Sequence, residues 1–326
     1  MDARWMGVAL ALSQRTRGRT APNPNVGCVI VADGRVVGRG WTHAGGRPHA
    51  EAMALGQAGA RAAGATAYVT LEPCAHRSAR GAACSDLLAA AGIARVVAAL
   101  GDPDPRTDGS GFARLRDAGI PVDVGVRAAE AARSMAGFLT RRALGRPFVT
   151  LKLATSLDGR IAMADGASRW ITGPGARAHT HLERARHEAI LVGRGTLEAD
   201  APILDVRLPG LADRSPLRVV LGHRHAGDTR SGWQWIDSPA AIATLPDADH
   251  VLVEGGAQTA AAFLAADLVD RLVLYRAPIL IGGGVAALGD IGLTGLAAAH
   301  GRWALYDSRM LGSDRLEVYE RLRNEG

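Results

Sequence analysis

The residues most able to do chemistry in this 326-residue chain are a histidine, a glutamate and two cysteines in its first third. His49 and Glu51 form a His-x-Glu pattern, Cys74 directly follows Pro73, and Cys84 comes ten residues later. Catalytic zinc is commonly held by imidazole and thiolate ligands, with a fourth position open to water. The metal lowers the pKa of that water to about 7. The spacing therefore predicts a zinc site formed by His49, Cys74 and Cys84.

Glu51 lies too close in sequence to His49 to be an obvious fourth ligand, and it is well placed to carry protons. His-x-Glu followed by Pro-Cys and a second cysteine is the pattern of zinc deaminases that act on amino-substituted pyrimidines and purines. In such a reaction the glutamate takes a proton from water and delivers protons to the ring nitrogen and the departing ammonia. Asn23 and Asn25 stand on a proline-bounded loop before a strand. They either pair with the edge of a heterocycle or only form a turn.

The elements that must position these residues alternate between strands and helices. We expect strands at 26–31, 36–40, 67–71, 94–100 and 122–126, and helices at 5–12, 48–59, 84–91 and 111–118. The first two strands are joined at Asp33-Gly34, which is a hairpin signal. This pattern predicts an α/β layer domain. His49 and Glu51 then fall in the first turn of one helix, Cys84 opens another, and Cys74 follows a strand.

A domain boundary is predicted near residue 146, which divides the chain into 1–146 and 147–326. Beyond it the alternation restarts, with strands at 148–154, 189–192, 217–221, 251–254 and 271–277 and helices at 175–186 and 258–266. No strand–GxGxxG–helix unit is found in the sequence, which argues against a Rossmann domain. Gly255-Gly256 before a helix either places N–H groups beside a phosphate or only makes a turn.

The composition limits the partners that we expect. The net charge is +6, but the basic residues are dispersed and aromatic residues make up only 4 %. This argues against a nucleic-acid groove and is compatible with a small anionic substrate. Three cysteines do not suit a secreted disulfide framework, and neither a signal peptide nor a membrane span is evident. We therefore expect a cytoplasmic protein with no nucleic-acid or membrane partner.

Lys152 is the only lysine in a chain that otherwise uses arginine. A compact ammonium differs from a planar guanidinium in size and hydrogen bonding. Its retention favours a contact between Lys152 and substrate or cofactor, although a chance lysine is the alternative.

Several motifs resemble the bifunctional deaminase/reductase family of bacterial riboflavin biosynthesis. In the first half they are PNPNVGCVI at 22–30, PHAE at 48–51 and AYVTLEPC at 67–74. In the second half they are LKLATSLDGR at 151–160, WIT at 170–172, Gly195-Thr196 with Asp200, and VEGG at 253–256. The resemblance covers nearly the whole chain. It separates the sequence from single-domain cytidine and tRNA-adenosine deaminases, whose cysteines are usually spaced C-x-x-C.

The resemblance implies an N-terminal cytidine-deaminase-like α/β/α layer domain and a C-terminal dihydrofolate-reductase-like α/β domain. It implies zinc-dependent hydrolytic deamination of 2,5-diamino-6-ribosylamino-4(3H)-pyrimidinone 5′-phosphate, followed by NADPH reduction of the ribosyl group to ribityl. The implied cofactors are one Zn²⁺ per chain and NADPH, and the implied assembly is a homo-oligomer, either a dimer or a tetramer. Glu51 is the implied proton donor, and His49, Cys74 and Cys84 are the implied ligands.

The resemblance also transfers positions of the reductase site. The cofactor positions are Ala154, Trp170, Thr196, Asp200, His223, Gly256, Ala257, Gln258 and Thr259. The substrate positions are Ser168, Arg184, Leu204, Arg207 and Glu254. The loop amide of Asn23 and the single lysine, Lys152, are two further expected substrate contacts. Arg184 and Arg207 are expected to hold a phosphate in a fork.

The chain departs from the family pattern at identifiable points. The segment between Cys74 and Cys84 is one residue longer than usual and lacks Thr-Pro-Pro, so Arg77, Ser78 or Arg80 is expected to take over substrate recognition. A family histidine is replaced by Thr42, with His43 beside it. In the second half, Gly222-His223 replaces Asp-Ser and Asp200-Ala201-Pro202 replaces Asp-Asp-Pro. A contact on the adenosine side of NADPH is therefore expected to differ.

Two other functions remain open at this point. The reductase half could act on another pyrimidine or a pterin-like compound. Alternatively, the basic charge and the deaminase pattern could belong to a nucleic-acid editing protein, for which a salt-dependent affinity for tRNA or single-stranded DNA would be the sign.

Overall fold

A computed structural model describes residues 1–76, 81–224 and 230–323. The chain divides into two compact units, Met1–Gly145 and Arg146–Gly326. The sequence prediction placed this boundary one residue later.

The first unit is a five-stranded sheet with helices packed on it. Its helices are α1 (Asp2–Ser13), α2 (Ala50–Ala58), α3 (Cys84–Ala90), α4 (Ser110–Asp117), α5 (Ala128–Ser134) and α6 (Ala136–Leu144). Its strands are β1 (Gly27–Ala32), β2 (Arg35–Trp41), β3 (Thr66–Val69), β4 (Arg95–Ala98) and β5 (Val122–Val124). The strand order is β2-β1-β3-β4-β5, with β1 antiparallel to both of its neighbours and β3, β4 and β5 parallel.

The predicted hairpin between β1 and β2 is confirmed. Asp33 and Gly34 both have positive φ, at 49° and 70°, which is the backbone of the tight turn that suits the twist of paired strands. Gly40 on β2 allows α2 to lie directly against the sheet, because a Cβ there would come within 1.9 Å of the Ala50 carbonyl oxygen. The close packing fixes the start of α2, where His49 and Glu51 are located.

The second unit is built on an eight-stranded sheet. Its helices are α7 (Pro174–Arg184), α8 (Arg194–Asp200) and α9 (Ala257–Ala265). Its strands are β6 (Phe148–Thr155), β7 (Arg160–Ala162), β8 (Ala189–Gly193), β9 (Leu217–Leu221), β10 (Trp233–Ile236), β11 (His250–Val253), β12 (Arg271–Arg276), β13 (Val285–Ala286), β14 (Trp303–Leu311) and β15 (Asp314–Arg321).

The order of the large sheet is β10-β9-β8-β11-β6-β12-β15-β14, and β7 pairs with β13 separately. The strands from β10 to β12 are parallel, and β15 and β14 continue the sheet antiparallel. Central strands such as β8 and β11 are buried along their whole length. Because parallel strands end at one edge, the segments after β8 and β11 come together there, as is typical of ligand sites in α/β sheets.

The predicted strands and helices are confirmed to within a few residues at each end. The prediction missed α5, α6, α8, β7, β10, β13, β14 and β15. Strand β14 is largely exposed, so its sequence lacks the apolar run that marked the central strands. No helix in the described ranges has the length and apolar composition that a bilayer span requires.

Candidate active sites

The first unit brings the three predicted zinc ligands together. His49 is the residue that precedes α2, Cys84 is the first residue of α3, and Cys74 lies in the segment after β3. His49 Nδ1 is 3.3 Å from Cys84 Sγ and 3.6 Å from Cys74 Sγ. The three ligand atoms all lie within 4.8 Å of one another. One imidazole and two thiolates on one side of a metal leave a further tetrahedral position for water.

The surroundings of Cys74 favour a thiolate. The Cys84 side chain and His49 contact its sulfur, and the Cys84 backbone N–H donates to it at 3.4 Å. The hydrogen bond from Cys84 is the largest of the contributions that lower the pKa of Cys74 to about 4. A deprotonated sulfur is the form that binds a metal, so the chemistry of this donor set fits zinc.

Glu51 lies in the first turn of α2 and is only 3 % exposed. The pKa of its carboxyl is raised to about 7, mainly by burial and partly by the charge of Cys74, while His49 opposes the change. A carboxyl with a pKa near neutrality can both accept and release a proton at physiological pH. The position therefore suits a proton shuttle beside the metal ligands.

The same pocket is lined by Asn23, whose side-chain amide donates to the Gly46 carbonyl at 3.2 Å. Asn25 has a different place. It is 3 % exposed and donates to the Ser13 carbonyl and to Ser134 Oγ, both at 3.2 Å. These contacts hold the Asn25 loop to the ends of α1 and α5.

Glu72 is a residue whose role the sequence did not reveal. This buried carboxylate accepts backbone N–H groups from Asp102, Gly109, Gly111 and Phe112 at 2.8–3.2 Å. It thereby ties the loop before α4 to the segment that carries Cys74. The sequence showed only that an acidic residue stands two positions before Cys74. That spacing does not distinguish a structural anchor from a catalytic acid. The predicted recognition residues Arg77, Ser78 and Arg80 lie outside the described residues.

The second unit contains a cavity of about 990 Å³. Predicted residues that line it are Lys152, Ala154, Ser168, Trp170, Arg184, Thr196, Asp200, Leu204, Arg207, Glu254 and Gly256. The predicted residues His223, Ala257, Gln258 and Thr259 are not part of this lining among the described residues. Thr259 instead packs beneath Gly193 and Gly255, where added Cβ atoms would lie 2.2 and 2.4 Å from its side chain.

Arg184 is bound to a carboxylate inside this cavity. Its Nε and Nη2 donate to the two oxygens of Glu254 at 2.8 and 2.9 Å, and Nη1 donates to the Asp205 carbonyl at 3.0 Å. The phosphate fork of Arg184 and Arg207 stays a prediction, and Glu254 occupies two of the Arg184 donors. Arg207 is 59 % exposed and pairs with Asp205 at 3.4 Å.

Lys152 joins the same cluster from β6, with Nζ 4.0 Å from Glu254 Oε2. Burial lowers the pKa of Lys152, and the Arg184 charge adds to the effect while Glu254 opposes it. Burial alone would raise the pKa of Glu254, but the hydrogen bonds and charge of Arg184 hold it below its usual range. The cavity thus contains a fixed carboxylate between two cations.

Two helices begin at the cavity wall. Helix α8 follows Gly193, and α9 follows Gly256, so that Gly195, Thr196, Gly255 and Gly256 line the wall together. Open backbone N–H groups at the start of a helix attract phosphate oxygens. The wall therefore fits the phosphates of a dinucleotide such as NADPH.

Comparisons with known proteins cover both units. Residues 1–100 match the cytidine and deoxycytidylate deaminase zinc-binding region, and residues 147–315 match the RibD C-terminal domain. The riboflavin biosynthesis protein RibD of Escherichia coli strain K12 is 42 % identical over 344 residues, covering 91 % of this chain and 94 % of that protein.

Solved structures give the same result. Acinetobacter baumannii RibD, form 1, has a TM-score of 0.88 and 37 % identity, with 99 % of each chain covered. The Thermotoga maritima diaminohydroxyphosphoribosylaminopyrimidine deaminase/5-amino-6-(5-phosphoribosylamino)uracil reductase has a TM-score of 0.89 and 31 % identity, with 98 % of this chain and 99 % of that chain covered. These matches confirm the predicted deaminase-like fold followed by a dihydrofolate-reductase-like fold.

Proposed function

The chain belongs to the RibD family of riboflavin biosynthesis enzymes, and we propose that residues 1–146 perform its deamination and residues 147–326 its reduction. It is a bifunctional enzyme with a zinc-binding deaminase domain and an NADPH-binding reductase domain, as predicted. The observation that carries the division of labour is that the zinc ligand set and a buried glutamate share one pocket in the first unit.

The substrate is proposed from the name of the Thermotoga maritima relative. The first unit hydrolytically deaminates 2,5-diamino-6-ribosylamino-4(3H)-pyrimidinone 5′-phosphate. The second unit then reduces the ribosyl group of the deaminated product to ribityl.

In the deaminase pocket, His49, Cys74 and Cys84 would hold zinc, which when bound supplies Lewis-acid activation of water. Glu51 takes a proton at its carboxylate and returns protons to the ring nitrogen and to the departing amine. Asn23 at the pocket wall orients the heterocycle through its amide. Burial raises the pKa of Glu51 to about 7, so at neutral pH its carboxyl can both accept and release a proton.

In the reductase cavity, NADPH when bound supplies the hydride. Glu254 fixes the Arg184 guanidinium and faces the Lys152 ammonium, so the three side chains present a rigid polar surface to the substrate. Ser168, Leu204 and Arg207 complete the substrate wall in this proposal. Ala154, Trp170, Thr196, Asp200 and Gly256 face the cofactor. His223, Ala257, Gln258 and Thr259 keep cofactor roles only by resemblance.

We further propose a cytoplasmic location and a homo-oligomeric state, with no nucleic-acid or membrane partner. The dispersed basic residues support the absence of a nucleic-acid groove.

The test supplies the proposed pyrimidine with zinc and NADPH to the full-length chain. Ammonia release and NADPH consumption should both occur, and NADPH consumption should depend on prior deamination. Chelation of zinc should stop ammonia release but leave NADPH consumption intact when the deaminated product is supplied. Turnover of neither compound would refute the proposed substrates.

A further inference from the structure

The deaminase pocket has a pair of arginines that the proposed mechanism does not use. Arg106 belongs to the loop between β4 and α4, and Arg142 to α6, and both line the pocket that contains His49 and Glu51. Their side chains are 60 % and 35 % exposed, whereas Glu51 is 3 % exposed. The two guanidinium groups therefore form the rim of a pocket whose floor is the metal site.

A buried carboxylate holds both arginines in place. Asp104 has a side chain only 5 % exposed, and its Oδ2 accepts Arg106 Nη2 at 2.5 Å and Arg142 Nη2 at 2.9 Å. Its Oδ1 accepts the backbone N–H and Nε of Arg106 at 3.0 and 2.9 Å. The hydrogen bond from Arg106 is the main reason that the pKa of Asp104 lies well below its usual range. Asp104 therefore stays ionised, and the arginines are ordered before any ligand arrives.

Both guanidinium groups keep donors for a ligand. A guanidinium has five N–H donors, and Asp104 uses only part of each set. Among the described residues, no hydrogen-bond acceptor is found for Nη1 of Arg106 or for Nε and Nη1 of Arg142. Two ordered guanidinium groups with remaining donors suit a phosphate, which accepts bidentate and charge-assisted hydrogen bonds.

The size of the pocket places a phosphate at this rim. The pocket measures about 40 Å³, far less than the roughly 300–1,000 Å³ of pockets that enclose a whole small-molecule ligand. Most of a nucleotide-sized substrate must therefore extend out of the pocket, past Arg106 and Arg142. Asp102 also lines the wall, and burial raises the pKa of its carboxyl to about 6.

We propose that Arg106 and Arg142, held by Asp104, bind the 5′-phosphate of the ribosylamino-pyrimidine in the deaminase site. This inference rests on the proposed function, because it presupposes a phosphorylated pyrimidine as substrate. Binding at the rim orients the heterocycle toward Glu51 and rejects unphosphorylated pyrimidines.

The test compares deamination of the phosphorylated pyrimidine with that of its dephosphorylated counterpart, in zinc-loaded full-length enzyme without NADPH. The wild-type kcat/KM should favour the phosphorylated compound by at least about tenfold, as expected for charge-assisted hydrogen bonds. In Arg106→Gln/Arg142→Gln this ratio should fall to about one, and Arg142→Lys should restore part of it. Arg114→Gln is the matched control, because Arg114 is an exposed arginine that pairs with Asp86 at 3.2 Å away from the pocket.

A purely structural role would give a different result. If the double variant loses activity on both compounds equally and keeps the wild-type ratio, the arginines only fasten α6 to the loop and the inference is overturned. A ³¹P NMR titration with inorganic phosphate measures binding at the two arginines independently of turnover. The double variant should lose binding that Arg114→Gln retains. If the wild type releases no ammonia, the proposed function fails, and the titration still tests the rim as a phosphate site.

Discussion

Single residues in the deaminase pocket have acidities that are shifted in opposite directions. The pKa of Cys74 falls to about 4, largely through its hydrogen bond from Cys84, and burial raises the pKa of Glu51 to about 7. A thiolate for the metal and a carboxyl that exchanges protons near neutrality are therefore present side by side. In the reductase cavity, Lys152 and Arg184 share Glu254.

Lys152→Arg should lower kcat/KM of the NADPH-dependent reduction by about tenfold or more. The Lys152 ammonium lies 4.0 Å from Glu254 Oε2 and 5.9 Å from the centre of the Tyr275 ring. A larger, planar guanidinium cannot take this position. The measurement is steady-state reduction of the deaminated product, with ammonia release by the same variant as the internal control. Unchanged reductase kinetics would show that this lysine has no role in the site.

Asp102→Asn should change the pH dependence of stability. Burial raises the pKa of Asp102 to about 6, so the stability linked to its protonated form is complete below about pH 4 and is lost as the pH rises through 6. Asparagine does not ionise, so the variant does not lose stability over this pH range. Relative to wild type it should gain up to about 3 kcal/mol of unfolding free energy between about pH 4 and pH 7. Urea unfolding at several pH values measures this difference, and parallel curves would contradict it.

Motif spacing was enough to predict that His49, Cys74 and Cys84 meet, because each stands at the start of a helix or just after a strand. It could not predict which polar groups pair across the fold. The Arg184–Glu254 pair joins residues 70 positions apart, and the structural role of Asn25 depends on Ser134. Such partners follow from packing rather than from local pattern.

At the scale of elements, close contact between α2 and β2 determines where the deaminase residues stand. A Cβ at Gly40 would lie 1.9 Å from the Ala50 carbonyl oxygen and 2.7 Å from the Ala54 nitrogen. Neither backbone atom can move without shifting α2, which begins next to His49. The glycine is therefore required by the approach of a helix and not by a turn.

Gly40→Ala should destabilise the chain by about 3 kcal/mol and reduce ammonia release, since overpacking displaces the helix. Gly56→Ala, on the α2 side of this contact, is the matched control, because a Cβ at Gly56 meets nothing within 4 Å. It should stabilise the chain by about 0.5–1 kcal/mol. Urea unfolding compares the two variants. Equal effects would mean that α2 does not lie against β2 as described.

Elements with strong apolar runs and glycine stops were predictable, as β11 and α2 show. The hairpin of β14 and β15 was missed because β14 is a largely exposed strand at the edge of the sheet, and its sequence has no regular alternation of apolar and polar residues. The short α8 was missed because its first turn contains Gly195, a poor helix former.

At the scale of the whole molecule, two compact units each contain their own core and their own site. Arg146 belongs to the second unit, where it donates to both oxygens of the buried Asp270 at 2.7 and 2.9 Å. The sequence placed the boundary within a residue of this division but could not show which side Arg146 would join. That depends on Asp270, which lies 124 positions away.

Separate expression of Met1–Gly145 and Arg146–Gly326 should give two folded proteins. The first should release ammonia from the pyrimidine, and the second should consume NADPH with the deaminated product. A second fragment that starts at Pro147 should be less stable by about 1–3 kcal/mol, because Asp270 loses the charge-assisted hydrogen bonds from Arg146. Circular dichroism and thermal unfolding test this. An unfolded fragment would show that the units depend on each other for folding.

The central claim is that one chain carries two independent reactions, with Glu51 serving only the first. Glu51→Gln, loaded with zinc and given NADPH, is the direct test, and Glu130→Gln, an exposed glutamate paired with Arg127, is its control. The variant should release no ammonia from the diamino-pyrimidine, yet it should reduce the supplied deaminated product at the wild-type rate. Loss of both activities, or ammonia release at the wild-type rate, would contradict the account.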